Sequence, residues 1–431
     1  MRLFLGIDFG TSGCRAVAID ERGHETHTAA IDLPSPHRHG TEVEQAPQVW
    51  LTGLERLLEQ LGRQCPLARV AAIAVDGTSG TVLLTDEQAA PLAPALMYDD
   101  GRAAAQARQI AGIAPPDSAA HGAFSTLAKV LWLKDHNPHF RKARWIAHQS
   151  DWIAARLGGR PGVSDHNNCI KLGFDPRTAR WPSWLGDLQL PGRLLPRVVR
   201  PGTAIGTIHP QWQHFGFTPQ TLIVSGTTDS TAAVIAAGAC HTGDGITVLG
   251  STLVVKILTP APLSAPRFGV YSQPFGQLWL CGGGSNTGGT VLRHFFSDAR
   301  ITELSQHLDT GRDTGLNYYP LLRPGERFPI ADPALPPRLS PRPDDPARFL
   351  QGLLEGIAAI EARAYRCLRE LGAAPLQRVL TSGGGSTNPA WRQIRERYLG
   401  VPVHCAARQQ AAYGSALLAR RGYSGHQKES S

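Results

Sequence analysis

The sequence has no run approaching 18 consecutive apolar residues, which argues against a helix that crosses a membrane. Its seven cysteines include no pair with CxxC spacing. That absence argues against a disulfide framework or a zinc site, and for reduced thiols in a cytoplasmic setting. Lysine is scarce, six against 37 arginines, and the arginines are scattered without a basic run. The net charge of +8 therefore does not gather into the patch expected of a nucleic-acid binder, although it suits an anionic ligand such as a nucleotide. His37, His39 and His166 lack metal-ligand spacing and read as surface or capping residues. Cys240 and Cys281 stand among small residues and read as packing groups. The opening MRLFLGIDFG has no separate apolar core with a cleavage site, so no signal peptide is expected.

What is present suits a soluble chain of two domains: 431 residues, 42% hydrophobic and 18% charged. Three strands are expected over 2–7, 14–19 and 24–32, joined by glycine-containing turns. A helix follows in APQVWLTGLERLLEQLG, with Pro47 in its first turn, Leu54, Leu57, Leu58 and Leu61 on one stripe, and Gly62 as a stop. The next strand, RVAAIAV, ends at Asp76. Three antiparallel strands, a helix and a strand begin an α/β domain with a mixed sheet. Residues 100–220 read as helix and loop. A helix over 346–371 starts from Asp345 and Pro346 as N-cap and first helical residue, and Gly372 closes it. A last helix is expected near AAYGSALLARR, with the tail GYSGHQKESS fraying. LGIDFGTSG near residue 5 is echoed by TVLGSTLVVKIL near residue 247. Both are strand, Gly/Ser/Thr turn, strand, which suggests two related domains facing one ligand.

Four stretches carry candidate chemistry. In LGIDFGTSGCRAVAID, Gly10 and Gly13 let backbone approach a ligand, and the turn amides with the Thr11 and Ser12 hydroxyls make an anion-binding concavity. Asp8 repels a bare phosphate, so its presence implies Mg²⁺ between carboxylate and phosphate. The same Asp also reads as a turn residue bonding its own amides. In SGTTDSTAAVIAAGA, Asp229 precedes a helix of small residues that can pack closely on another backbone. It is either a functional carboxylate or a plain N-terminal Asp. In TSGGGSTNPAWRQIRERYLGVPV, three glycines leave room for a flat ring against backbone, and Asn388 either caps the following helix or bonds a base edge. This stretch is neither GxxxxGK[ST] nor GxGxxG. In AVDGTSGTVLLTDE, Thr78 and Ser79 project from a loop at a strand end, and ALMYDDGR adds Asp99, Asp100 and Arg102. Structural turns explain this last group equally well.

Taken in order, the four stretches resemble the FGGY carbohydrate kinases, members of the actin and hexokinase ATPase superfamily. VDGTSGTVLL, DHNNCIKLGFDP, GVYS, GERFPIADP and FLQGLLEGIAAIE further resemble the short cyanobacterial and plant-type D-ribulose kinases. Xylulose kinases carry a Met-His pair in the sugar loop, where this chain has Gly77-Thr78-Ser79-Gly80, which weighs against D-xylulose. MYDDGR points the other way, because it keeps most of the W-x-D-x-R sugar signature, with Tyr98 for Trp. The chain is also shorter than is usual for the family.

The resemblance implies two ribonuclease-H-like, actin-like ATPase domains, with mixed sheets flanked by helices and facing across a catalytic cleft. Residues 1–236 form the sugar-binding N-terminal domain, with the helix at about 410–425 packing back on it, and 237–409 the nucleotide-binding domain. It implies ATP and Mg²⁺, with Gly10, Thr11 and Ser12 on one side of the phosphates and Gly250, Ser251 and Thr252 on the other. Adenine lies against Gly384, Gly385 and Asn388. The sugar meets Asp8, Ser79, Asp100, Arg102 and Asp229. Asp229 is the base, Asp8 and Asp229 face the metal, and Thr11 donates to the transferring group. The expected reaction is D-ribulose to D-ribulose 5-phosphate. D-xylulose or another ketose or polyol is the alternative. A non-catalytic sugar sensor is the rival, against which the intact Asp8, Thr11 and Asp229 set argues. A monomer or homodimer in the cytoplasm, without nucleic-acid or membrane partners, is expected.

Overall fold

A computed structural model of the chain describes residues 1–429. It forms two compact units: Met1–Ala236 with the segment from Gln410 onward, and Ala237–Gln409. In the first unit, β1 (Leu3–Phe9), β2 (Gly13–Asp20), β3 (Glu25–Asp32), β4 (Val70–Gly77), β5 (Ala204–Thr207) and β6 (Leu222–Val224) make one sheet in the order β5-β6-β4-β1-β2-β3. β1, β2 and β3 form an antiparallel meander, while β4 and β6 run parallel to β1. All seven residues of β1 are buried, as a central strand covered on both faces requires, and Asp8 is its one charged side chain.

Strand alternation sorts the side chains of this sheet. Leu3, Leu5, Ile7 and Phe9 of β1, with Ile73 and Val75 of β4, join the core that holds Trp50, Leu54, Leu57 and Leu61 of α1 (Pro47–Gly62). Phe4, Gly6 and Asp8 point to the other face. There the Phe4 ring packs, tilted, against Tyr423 of the C-terminal helix (Ala411–Glu429). That helix lies directly on the sheet. A Cβ added at Gly6 would stand 1.9 Å from the Ala412 carbonyl oxygen and 2.2 Å from the Ala416 nitrogen. The first unit is completed by a sheet of five short antiparallel strands drawn from residues 37–148, by α2 (Thr126–His136) and α3 (Gln149–Leu157), and by α4 (Asp229–Ala237). α4 meets the C-terminal helix through small residues: a Cβ at Gly414 would sit 1.9 Å from the Ala232 carbonyl oxygen.

In the second unit, β7 (Asp244–Leu249), β8 (Leu253–Thr259), β9 (Tyr271–Phe275), β10 (Leu278–Ser285), β11 (Arg378–Ser382) and β12 (Val403–Cys405) form a sheet in the order β9-β10-β8-β7-β11-β12. β7, β8 and β10 are antiparallel, and β11 and β12 run parallel to β7. This repeats the order and directions of β1, β2, β3, β4 and β6, so the short echo at residues 5 and 247 extends to five strands of each sheet. Helices α5 (Gly289–Phe295), α6 (Pro346–Glu370) and α7 (Pro389–Leu399) complete the unit. α6 begins as the sequence predicts: the Asp345 carboxylate accepts the Ala347 and Arg348 amides at 2.9 and 3.3 Å.

Three expectations change. The five-stranded sheet and strands β5 and β6 have no counterpart in the sequence reading, because strands of two to four residues carry too few positions to show alternation. The segment from Gly422 to Glu429 is helix rather than a frayed tail. Gly422 is buried, and a Cβ there would meet the Gly202 carbonyl at 2.5 Å. The remaining two tail residues lie outside the described range. Cys240, expected to pack, is exposed, whereas Cys281 is buried. Among the described residues no helix is long and apolar enough to cross a membrane.

Candidate active site

Asp8 and Asp76 are the penultimate residues of β1 and β4, and the parallel register places them directly opposite each other. Both point to the face covered by the C-terminal helix. That helix delivers Ser415, whose hydroxyl donates to Asp76 Oδ2 at 2.6 Å. Asp229 opens α4, immediately after Thr228, which bridges to Gly77 at the end of β4. Its carboxylate accepts the Ser230 amide at 2.6 Å, and its charge is felt at Asp76. The structure therefore gathers Asp8 and Asp229 around a third carboxylate, Asp76, within the first unit.

The electrostatics follow from burial. Asp76 is wholly buried, and desolvation, then the Asp8 charge and more weakly the Asp229 charge, push its pKa well above the ordinary carboxyl range against the Ser415 hydrogen bond. Asp8, 8% exposed, is also raised by burial, with the Asp76 contact and Arg15 opposing. Arg15 Nη1 stands 3.8 Å from Asp8 Oδ2 on a side chain that is more than half exposed. Ionised carboxylates are acceptors only, so two that face each other are joined by a proton or by a cation. Asp76 hydrogen-bonds to Asp8, so without a cation a shared proton joins the pair. This all-oxygen, anionic donor set fits a divalent cation such as Mg²⁺.

The turn between β1 and β2 holds Gly10, Thr11 and Ser12. The Gly10 amide is used to close the turn on the Gly13 carbonyl at 3.0 Å, so it is not part of an anion cradle. Thr11 is half-buried and Ser12 exposed. In the second unit, Gly250, Ser251 and Thr252 form the turn between β7 and β8, with Ser251 and Thr252 exposed. The first turn of α5 is laced to this turn. Gly289 donates to the Gly250 carbonyl, Thr290 to that of Ser251, and Arg293 Nη2 reaches the Ser251 hydroxyl at 3.4 Å. After β11, Gly384–Thr387 is a 3₁₀ turn. Gly384 has open space where a side chain would be, whereas a Cβ at Gly385 would strike the Trp391 ring at 2.4 Å. Asn388 caps α7 through the Trp391 amide, and its amide nitrogen donates to Ser305.

In the loop after β4, Thr78 is tied down rather than projecting. Its amide and hydroxyl donate to Gln149 Oε1, and the hydroxyl also meets that of Thr81. Ser79 is half-buried. Asp100 is wholly buried: Val43 and Arg102 donate to it, the latter through Nε at 2.9–3.0 Å to both oxygens. Arg102 also pairs with Glu44 and stacks over Trp132. The Asp100–Arg102 pair thus braces its loop and presents no free carboxylate.

Three contributors were not among the candidates read from sequence. Asp76 was visible only as a strand end. Its signal is a repeat: Gly-Thr-Ser-Gly follows an Asp-ending strand at 10–13 and again at 77–80. Ser415 carries no local signal. Lys129 of α2 is fully buried and donates to the carbonyls of Gly80 and Met97 at 2.6 and 2.8 Å, joining the loop after β4 to the one that carries Asp100 and Arg102. Burial, with Lys171 nearby, pushes its ammonium down to about 7. Between that value and the ordinary lysine range the unfolded chain binds a proton that the folded chain does not, so stability rises with pH there. The contribution of Lys129 to the thermal midpoint of the first unit is expected to climb from pH 7 to about 7.5, before unfolded-state thiols begin to ionise toward their ordinary value of about 8.5. In Lys129→Met the midpoint should be lower and the climb absent. A climb unchanged in the variant assigns it elsewhere.

One cluster of potential metal ligands stands apart among the described residues: Cys240, His241 and Asp244. Asp244 is already engaged by the amides of Cys240 and His241 and by Arg378 at 2.7 Å, so it organises a turn.

Two sheets of one topology, each opening on a Gly/Ser/Thr hairpin, with carboxylates converging at the end of the first, define a two-domain α/β phosphotransferase. Residues 3–236 match the N-terminal domain and residues 245–423 the C-terminal domain of the FGGY family of carbohydrate kinases. The chain belongs to that family, and is a sugar kinase that uses ATP with Mg²⁺. It is 27% identical to a xylulose kinase of Streptomyces coelicolor over 441 residues, covering 97% of this chain and 87% of the relative. Its fold is that of a xyloylose kinase from Brucella ovis (TM-score 0.89, 22% identity, 98% and 91% of the two chains) and of a gluconate kinase from Lactobacillus acidophilus (0.86, 20%, 99% and 90%).

Proposed function

We propose that the chain transfers the γ-phosphoryl group of ATP to the terminal hydroxyl of a ketopentose, with D-ribulose preferred and D-xylulose the second reading. The observation that carries the catalytic part is the convergence of Asp8, Asp76 and Asp229. Asp229 takes the proton of the attacking hydroxyl, and Thr11 donates to the transferring group. Asp8 faces the cation, which supplies charge neutralisation when bound. Nucleotide belongs to the second unit, at Gly250–Thr252 and the open backbone of Gly384, with Asn388 shaping the latter through its cap. The acceptor lies by Ser79, on a loop that Lys129, Gln149 and the Asp100–Arg102 pair hold in place.

Support for D-ribulose is the Gly77-Thr78-Ser79-Gly80 loop in place of Met-His. Support for D-xylulose is the name carried by the Streptomyces coelicolor relative. A coupled ADP-release assay over pentuloses, hexuloses and polyols tests this. The kcat/KM for D-ribulose is expected to exceed that for D-xylulose by about tenfold or more, since a site that pairs one hydroxyl arrangement leaves polar groups unmatched with its epimer. A higher value for D-xylulose moves the assignment to the second reading.

A further inference from the structure

We propose that the second unit carries a pocket, apart from its nucleotide turns, that binds a small molecule bearing two or more phosphate groups. Such a pocket is independent of which sugar the chain phosphorylates.

A cavity of about 580 Å³, a size suited to a metabolite, opens between segments 267–269, 284–286 and 323–333. Arg267, Arg323, Arg327, Asn286 and Asp332 line it. Glu326 also borders it, but its carboxylate is consumed inside the loop. That group is 3% exposed and accepts the Ser285 and Tyr319 hydroxyls and the amides of Asn286 and Arg327. Asp332 accepts the Ala334 amide. Among the described residues, none of the three arginines forms an ion pair. A concave site with such an excess of one sign draws ligands of the other.

Two of the arginines are placed in advance. Arg327 Nε donates to Asn286 Oδ1 at 2.8 Å, and Asn286 Nδ2 donates to the Gly325 carbonyl at 3.0 Å. Arg267 lies over the Phe268 ring, which packs edge-on against Phe328, the buried neighbour of Arg327. Side chains held in position lose less freedom when a ligand arrives. The terminal nitrogens of Arg327 remain for a bidentate grip, and a guanidinium fork matches phosphate. Three cations against the one carboxylate of Asp332 favour a ligand with more than one phosphate group. Asn286 adjoins Thr287, whose carbonyl takes the Leu253 amide just past the Gly250–Thr252 turn. The pocket is thus near that turn in the chain, yet Gly250–Thr252, Gly384 and Asn388 line none of it.

The test is calorimetric titration of the full chain with inorganic pyrophosphate, without metal and with ADP saturating, so that the nucleotide turns are occupied. The wild type is expected to bind pyrophosphate at one site, and inorganic phosphate more weakly. Arg323→Gln and Arg327→Gln are each expected to weaken pyrophosphate binding by about tenfold or more, the worth of a hydrogen bond to a charged group. Both side chains are exposed, so the variants should keep the wild-type thermal midpoint and ADP affinity. Arg300→Gln removes an exposed arginine elsewhere in the same unit and should leave pyrophosphate binding unchanged. Failure of the wild type to bind pyrophosphate beside ADP overturns the proposal. So does binding that Arg323→Gln and Arg327→Gln leave intact, or that Arg300→Gln weakens equally. Phosphate binding as tight as pyrophosphate overturns the requirement for a second phosphate group.

Discussion

Asp229→Asn should cut sugar phosphorylation by about 10²–10⁴-fold, the usual worth of a positioned general base, with nucleotide affinity unchanged. Asparagine keeps the size and the acceptor oxygen for the Ser230 amide, so α4 should start as before, but it cannot take a proton from the acceptor hydroxyl. The proposed nucleotide turns belong to the second unit, whereas Asp229 belongs to the first. Their separation makes the expected split clean: a collapsed kcat in the ADP-release assay beside an unaltered nucleotide titration. A variant that keeps most of its rate would mean that the proton leaves by another group. A variant that loses nucleotide binding as well would mean that Asp229 acts on the fold.

Gly6→Ala should be the most damaging small substitution in the first unit. The added methyl carbon would stand 1.9 and 2.2 Å from backbone atoms of the C-terminal helix. Backbone has no rotamer by which to yield, so either the strand or the helix must move. Overpacking in a core typically costs about 1–3 kcal/mol, and a clash with backbone on a central strand belongs at or above the upper end of that range. The displaced helix also carries Ser415 away from Asp76, so activity should fall with the thermal midpoint. Gly186→Ala, where nothing lies within 4 Å of the new carbon, should change stability by no more than about 0.5 kcal/mol. Equal behaviour of the two variants would show that the helix does not press on β1 as described.

Much of the fold could be read before any coordinates. The β1–β2–β3 meander, α1 and β4 announce themselves because each is long and patterned, and α6 because Asp345, Pro346 and an apolar stripe along a helix of 25 residues agree. Asp8 and Asp229 stood out for the same reason, each being a charge set in an apolar or small-residue run. The five-stranded sheet was not legible, since its strands are short and pair between distant segments, as Val82 does with His148. Asn388 shows a different limit: its spacing allowed a cap or a ligand contact, and the cap bond to Trp391 is a matter of side-chain geometry.

Local order sufficed to mark the family, the domain order and the acidic residues, because propensity, periodicity and turn chemistry act between residues a few positions apart. The company those acids keep is set by long-range packing. Asp76 meets Asp8 through strand register, and Ser415 reaches Asp76 across 339 positions of chain. Neither relation leaves a trace in the neighbouring sequence. The roles of Asp76, Ser415 and Lys129 follow from which surfaces the folded chain buries together.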